Sequence, residues 1–187
     1  MTIKFKFNLQ KAIEVTSIIL SQVGSKGMTA HKLLRYIYLI ERCSWKNYDY
    51  PIIGGVNILR GTPINEDLYK VLFWWREVPE DIIKSQKVWD KYFIINRATK
   101  EDPKISSRDT IIYDDNLNES ECCLIRDSCN YLKYLEINDT IFSFPEVHLV
   151  EMNYQTLDNG ELLKILGKTE EEIEGIRLVS ERENNLD

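Results

Sequence analysis

Side chains able to serve as nucleophile, base or metal ligand are few and scattered in this chain of 187 residues, which carries four cysteines (Cys43, Cys122, Cys123 and Cys129) and two histidines (His31 and His148). A catalytic triad needs a nucleophile, a base and a group that orients the base. Cys43, His148 and Asp139 could be combined on paper, but no local motif joins them. Tetrahedral metal sites show paired ligands such as C-x2-C with a second pair downstream, and the cysteine spacing here does not. Cys122 and Cys129 share a helical face and read as small hydrophobes. Gly54-Gly55 and Gly61 fit neither Gly-rich phosphate fingerprint and read as turns. Glu170-Glu171-Glu172 follows Thr169 in a capping box, which accounts for one of the acids. These residues lead us to expect a chain with no catalytic, cofactor-binding or metal-binding set.

The most unusual cluster is Phe73-Trp74-Trp75-Arg76. Trp75 falls on the apolar stripe of Leu68 and Leu72, whereas Trp74 falls off it. An off-stripe Trp beside Arg has the composition of a protein-interface anchor; packing against another segment of the same chain is the alternative. The formal charge is −6 and the pI about 5.1. No Lys/Arg cluster of the kind that displaces phosphate counterions is present, so a nucleic-acid partner is not expected and a basic protein fits better. No apolar stretch approaches the roughly 20 residues of a membrane span. The start, Thr2 to Phe7, has no signal-peptide apolar region, so the expected location is the cytoplasm.

The periodicity then gives the elements that must position these residues. Asn8 caps a helix with Leu9, Ala12, Ile13, Leu20 and Val23 on its apolar face, and Gly24 stands at its C-terminal end. Thr29 caps a second helix, from His31 to about Ser44, apolar around much of its circumference, with Lys32, Arg35 and Arg42 on its polar side. Asn65 caps a third, and Pro79 opens a fourth that runs to about Trp89. Tyr92–Ile95 and Thr110–Tyr113 read as two strands of a hairpin, with residues 97 to 108 as its exposed loop. Asn118 to Glu121 opens another helix with a capping box. Residues 137 to 154 fit either a short helix or a buried extended run. A short helix from Gly160 to Leu166 ends at Gly167. A last helix follows with Ile173, Ile176 and Val179 on one side, before a frayed tail at 183 to 187. The fold class is mainly α (α+β): a compact helical domain over 1–155 with a small antiparallel hairpin near 91–113, and a C-terminal helical extension over 156–187 packed on it.

The order of motifs carries a resemblance. Met28-Thr29-Ala30-His31-Lys32-Leu33-Leu34-Arg35-Tyr36-Ile37-Tyr38-Leu39 is followed by Tyr50-Pro51-Ile52-Ile53-Gly54-Gly55, then Gly61-Thr62-Pro63-Ile64, Leu68-Tyr69, Leu117-Asn118-Glu119-Ser120-Glu121 and a late His148. This series resembles the Panacea-domain (SocA-like) antitoxin family over roughly residues 7 to 150, and more loosely to 180. The matching positions are Lys32, Leu33, Leu34, Tyr38, Gly61, Pro63, Tyr69, Glu121 and His148. Departures are an extra residue in Gly61-Thr62-Pro63-Ile64, Arg35 in place of a usual Lys, and no Trp after the late histidine.

The resemblance implies an antitoxin of a type II toxin–antitoxin system, of bacteria or phages, that neutralises a cognate protein toxin by direct binding and performs no catalysis. It also implies two alternatives: an adaptor delivering a partner to a Clp-type protease, or a mobile-element protein binding a host factor. Candidate contact residues are Trp74, Arg76, Arg60 and Arg35, with the loop at 97–108.

Overall fold

In a computed structural model the described residues are 3–24, 26–55, 57–60, 62–73, 78–96, 102–108, 116–135, 137–148, 155–156 and 158–185. Along the chain these form α1 (Leu9–Val23), β1 (Met28–Thr29), α2 (Ala30–Tyr48), β2 (Asn57–Arg60), β3 (Thr62–Asn65), α3 (Glu66–Phe73), α4 (Glu80–Trp89), β4 (Phe93–Asn96), β5 (Lys104–Ser107), α5 (Glu119–Leu132), α6 (Ile137–Phe142), α7 (Pro145–His148), β6 (Gln155–Thr156), α8 (Asn159–Ile165) and α9 (Glu170–Asn184). The mainly helical class with a small antiparallel β component holds.

The helix starts are set by side chains that satisfy amide groups left open in a first turn. Asn8, Thr29, Asn118, Asp158 and Thr169 each accept from the N–H three residues on, and Asn118 and Thr169 do so within full capping boxes. Asn65 Oδ1 likewise accepts from Leu68 N at 2.9 Å, ahead of the acidic first turn of α3. α2 is longer than its sequence pattern suggests. It continues to Tyr48 and stops where Asp49 takes a left-handed conformation at φ 62°.

α2 is the axis of the core. Leu33, Leu34 and Ile37 are wholly enclosed, together with Ala12 and Ile19 of α1, Leu68 and Leu72 of α3, and Ile125 and Cys129 of α5. Each such Leu or Ile contributes about 1.5–3 kcal/mol relative to an exposed position. A second cluster lies on the other side of α2, where Tyr38 and Trp45 pack with Ile3, Phe5, Leu162, Leu163, Ile173 and Ile176. The C-terminal helices are thereby joined to the start of the chain, and Asn159 Nδ2 donates to Ile3 O at 3.0 Å.

Several expectations need correction. The hairpin's second strand is Lys104–Ser107, pairing Phe93 with Ser107 and Asn96 with Lys104, and Met28–Thr29 adds to its outer edge. Ile105, fully buried, decides this register because it faces the core; residues 110–113 lie outside the described residues. A second sheet, in the order β3-β2-β6, occupies the stretch read as tight turns. Its edge strand β3 accommodates Pro63, which cannot donate to a ladder. Val179 is exposed, and buried Ser180 takes its place on the inner side of α9. The tail is not frayed through 184, because Tyr50 OH donates to Glu183 at 2.9 Å and Asn184 Nδ2 donates to Lys4 O at 2.8 Å.

One buried acid fixes the entry to α5. Glu14 accepts from Asn116 N and Leu117 N, each at 3.1 Å, and from Asn116 Nδ2. Glu14→Ala strands two backbone amides in a closed environment and should cost about 3 kcal/mol in urea unfolding. Stability within about 0.5 kcal/mol of the parent would show that these bonds do not hold α5 in place.

Candidate functional site

Four helices bring polar groups together at one end of the core. Lys11 is the third residue of α1 and Glu121 the third residue of α5, so both stand in first turns. Lys11 Nζ donates to Glu121 Oε1 at 2.6 Å, with the two side chains 19% and 10% exposed. Glu121 Oε2 is occupied as well, by Asn118 N at 2.8 Å. A pair this enclosed gains from the low local dielectric but has lost its hydration, so its value lies in fixing how α1 meets α5. From the last turns of α2, Ser44 Oγ donates to Tyr50 O at 2.7 Å just beyond the helix, and Tyr50 OH reaches the Glu183 carboxylate of α9. Burial, and then the hydrogen bond to Glu183, push the Tyr50 phenol upward.

This framework encloses two adjoining clefts that share Lys11 and Tyr50. One, of about 620 Å³, is lined by Lys11, Ser44, Tyr48, Tyr50 and residues Asn118, Glu119, Ser120 and Glu121. The other, of about 330 Å³, runs along residues 5–11 and 50–54 to Glu183.

Behind them lies Glu41, 2% exposed, which accepts from Ile53 N at 2.7 Å. Burial pushes its carboxyl up to about 8, against the opposing pull of the Ile53 and Ile52 amides and of Lys11. The loop it holds is tightly shaped. A side chain on Gly54 (φ 66°) would meet Lys6 O at 2.2 Å, and one on Gly55 (φ 87°) would meet Asp67 Oδ2 at 2.6 Å. These two turn glycines are therefore irreplaceable for geometric reasons.

Two further polar groupings are structural in form. Glu146 of α7, fully buried, accepts from Tyr38 OH at 2.7 Å and Arg42 Nε at 2.6 Å, and the Arg42 guanidinium lies 4.0 Å over the Phe144 ring. Asp102 accepts from His31 N at 3.0 Å and pairs with His31 Nδ1 at 3.2 Å, while the His31 ring stands edge-on to Phe73, which stacks on Tyr69. His31 thus clips the hairpin to α2.

Burial pushes the Cys43 thiol up, and Cys129 to about 12, which keeps both as thiols at neutral pH. Among the described residues no three His, Cys, Asp or Glu side chains gather as metal ligands would. None of the described helices is long and apolar enough to cross a membrane.

Of the residues singled out from sequence, Leu33, Leu34 and Tyr38 are core, Pro63 is buried in β3, and Tyr69 is half-buried against Phe73. Lys32 is exposed and Arg35 half-buried on α2. Arg60 ends β2 and His148 ends α7. Gly61, Trp74, Arg76 and residues 97–101 lie outside the described residues. Of this set only Glu121 lines the clefts.

Lys11 and Tyr48 went unnoticed in the sequence, Tyr50 entered only within the Tyr50–Gly55 motif and Glu183 only as part of the tail; their one signal as site residues was polarity at helix ends. Sequence reading also missed a solvent-facing aromatic run: Tyr131, Tyr134 and Phe142 are 68%, 80% and 47% exposed, with Leu135 among them.

The chain matches no protein-family model, no curated protein and no solved structure at a significant level.

Glu41 makes a pH prediction with a definite sign. Its carboxyl keeps a proton in the folded chain up to about 8, whereas in the unfolded chain it loses that proton near about 4.3. Between these values the unfolded state binds fewer protons, so this group's contribution to stability is full below about 4.3 and falls as pH rises to about 8. Glu41→Gln keeps an acceptor for Ile53 N–H and should flatten the decline, by up to about 1.4 kcal/mol per pH unit. Parallel stability–pH curves for the two proteins would refute the assignment.

Proposed function

We propose that the chain is an antitoxin of a type II toxin–antitoxin system that neutralises a cognate protein toxin by direct binding in the cytoplasm. The observation that carries this reading is the exposed aromatic run at the end of α5 and in α6. Three aromatic rings and Leu135 face solvent within residues 131–142, and the Lys133 ammonium lies 5.0 Å from the Tyr134 ring centroid. Tyrosine is enriched among the residues that dominate binding energy. The motif order resembling the Panacea family supports the same reading, and the negative net charge favours a basic toxin. On this reading the protein performs no covalent chemistry. It blocks a surface of the toxin or passes the toxin on.

Co-expression with the product of the adjacent open reading frame tests this. Restored growth together with a co-purifying complex is the expected result. Restored growth with a shortened toxin half-life and no stable complex would replace it with delivery to a Clp-type protease. A harmless, non-binding neighbour would overturn both. Within a complex, Tyr131→Ala combined with Tyr134→Ala should weaken binding about tenfold or more, read by calorimetry. An unchanged affinity would move the contact elsewhere, and Trp74→Ala with Arg76→Ala tests the sequence-derived alternative in the same assay.

A further inference from the structure

The larger cleft contains two side chains with nothing to do. Glu119, at the first position of α5, makes no hydrogen bond or ion pair among the described residues, and neither does Tyr48, whose ring is 50% exposed. Their neighbours are committed. Lys11 and Glu121 neutralise each other, Ser44 is bonded to Tyr50 O, and Tyr50 to Glu183. The uncompensated charge that the cleft presents to a visitor is therefore negative, supplied by Glu119 beside an open aromatic face. Glu183, hydrogen-bonded to Tyr50, adds to the negative field felt there. An anion would meet this field unfavourably, and a neutral apolar group would leave Glu119 desolvated without a partner.

A carboxylate and a tyrosine ring around one space are the two groups that bind an ammonium or guanidinium best, one by a charge-assisted hydrogen bond and the other through its π face. A cleft of about 620 Å³ admits a long basic side chain with its methylene stem against Tyr50.

We infer that this cleft receives an arginine or lysine side chain of the partner protein, its charged head between Glu119 and Tyr48. This rests on the reading of the chain as a protein-binding module and names the chemistry of what it binds. It is a second contact, separate from the aromatic run at 131–142.

The test is an amide NMR titration of the full chain with the blocked tripeptide acetyl-Gly-Arg-Gly-amide, set against the same peptide carrying citrulline, which keeps the shape and loses the charge. Salt-sensitive shifts at Tyr48–Tyr50 and at residues 118–121 with the arginine peptide alone are expected. Glu119→Gln combined with Tyr48→Ala, both surface changes, should weaken that binding about tenfold. Equal shifts from the two peptides, no shifts at these positions, or an unaltered response in the double variant would each overturn the inference. Co-purification of the unaltered chain with its neighbour's product is read separately. A complex that forms with the double variant at full affinity removes the cleft and leaves the antitoxin reading standing, whereas no complex with the unaltered chain removes the antitoxin reading itself.

Discussion

Glu41 accepts the Ile53 amide from inside α2, and three other segments take their positions from the loop held this way. Ile53 O in turn accepts from Asn8 N at 2.8 Å, at the start of α1. Gly54 O accepts from Asn65 Nδ2 at 2.8 Å, and Asn65 caps α3. Gly55 N donates to Phe5 O at 2.9 Å, which aligns the chain's beginning with the loop. One buried acceptor thus sets the entry of α1, the entry of α3 and the path of residues 3–7. A neutral carboxyl suits this position because it takes up amide hydrogens without the cost of a buried charge.

Local features of this arrangement were legible in the sequence, and long-range ones were not. Caps at Asn8, Thr29, Asn65, Asn118 and Thr169 act over three residues, and so do the signals that reveal them. The acids that organise the interior gave no such signal. Glu14 meets its partners about a hundred positions away at Asn116 and Leu117, and Glu146 meets Tyr38 and Arg42 across a similar distance. In sequence each is one more acid on a helix. The β2–β3 pair was hidden differently, because Gly61-Thr62-Pro63 carries turn chemistry and the flanking four-residue strands are too short for a clear alternation. The hairpin register was misread because Thr110–Tyr113 has the stronger β composition, whereas burial of Ile105 is what selects Lys104–Ser107. The larger cleft was invisible because its walls come from α1, α2 and α5, far apart in sequence.

The cleft and the aromatic run sit at opposite ends of α5, whose first turn supplies Glu119 and whose last turn supplies Tyr131. A 14-residue helix spans about 20 Å. A partner engaging both ends would lie along this helix, held by charge at one end and by rings at the other. Charge at one end favours fast encounter, and rings at the other favour slow departure.

The join between the two extremes of the chain also bears on how the protein is made. Ile3 and Phe5 pack on Leu162, Leu163, Ile173 and Ile176, and Asn184 reaches back to Lys4. A ribosome adds α8 and α9 long after the α2 residues they cover, so the apolar face of Tyr38 and Trp45 stays open until α9 has left the exit tunnel. A nascent chain stalled before that point displays this face to the cell's quality-control machinery. α8 and α9 therefore act as a late-added cover, and the face of Tyr38 and Trp45 is withdrawn from surveillance only once they have folded back onto it.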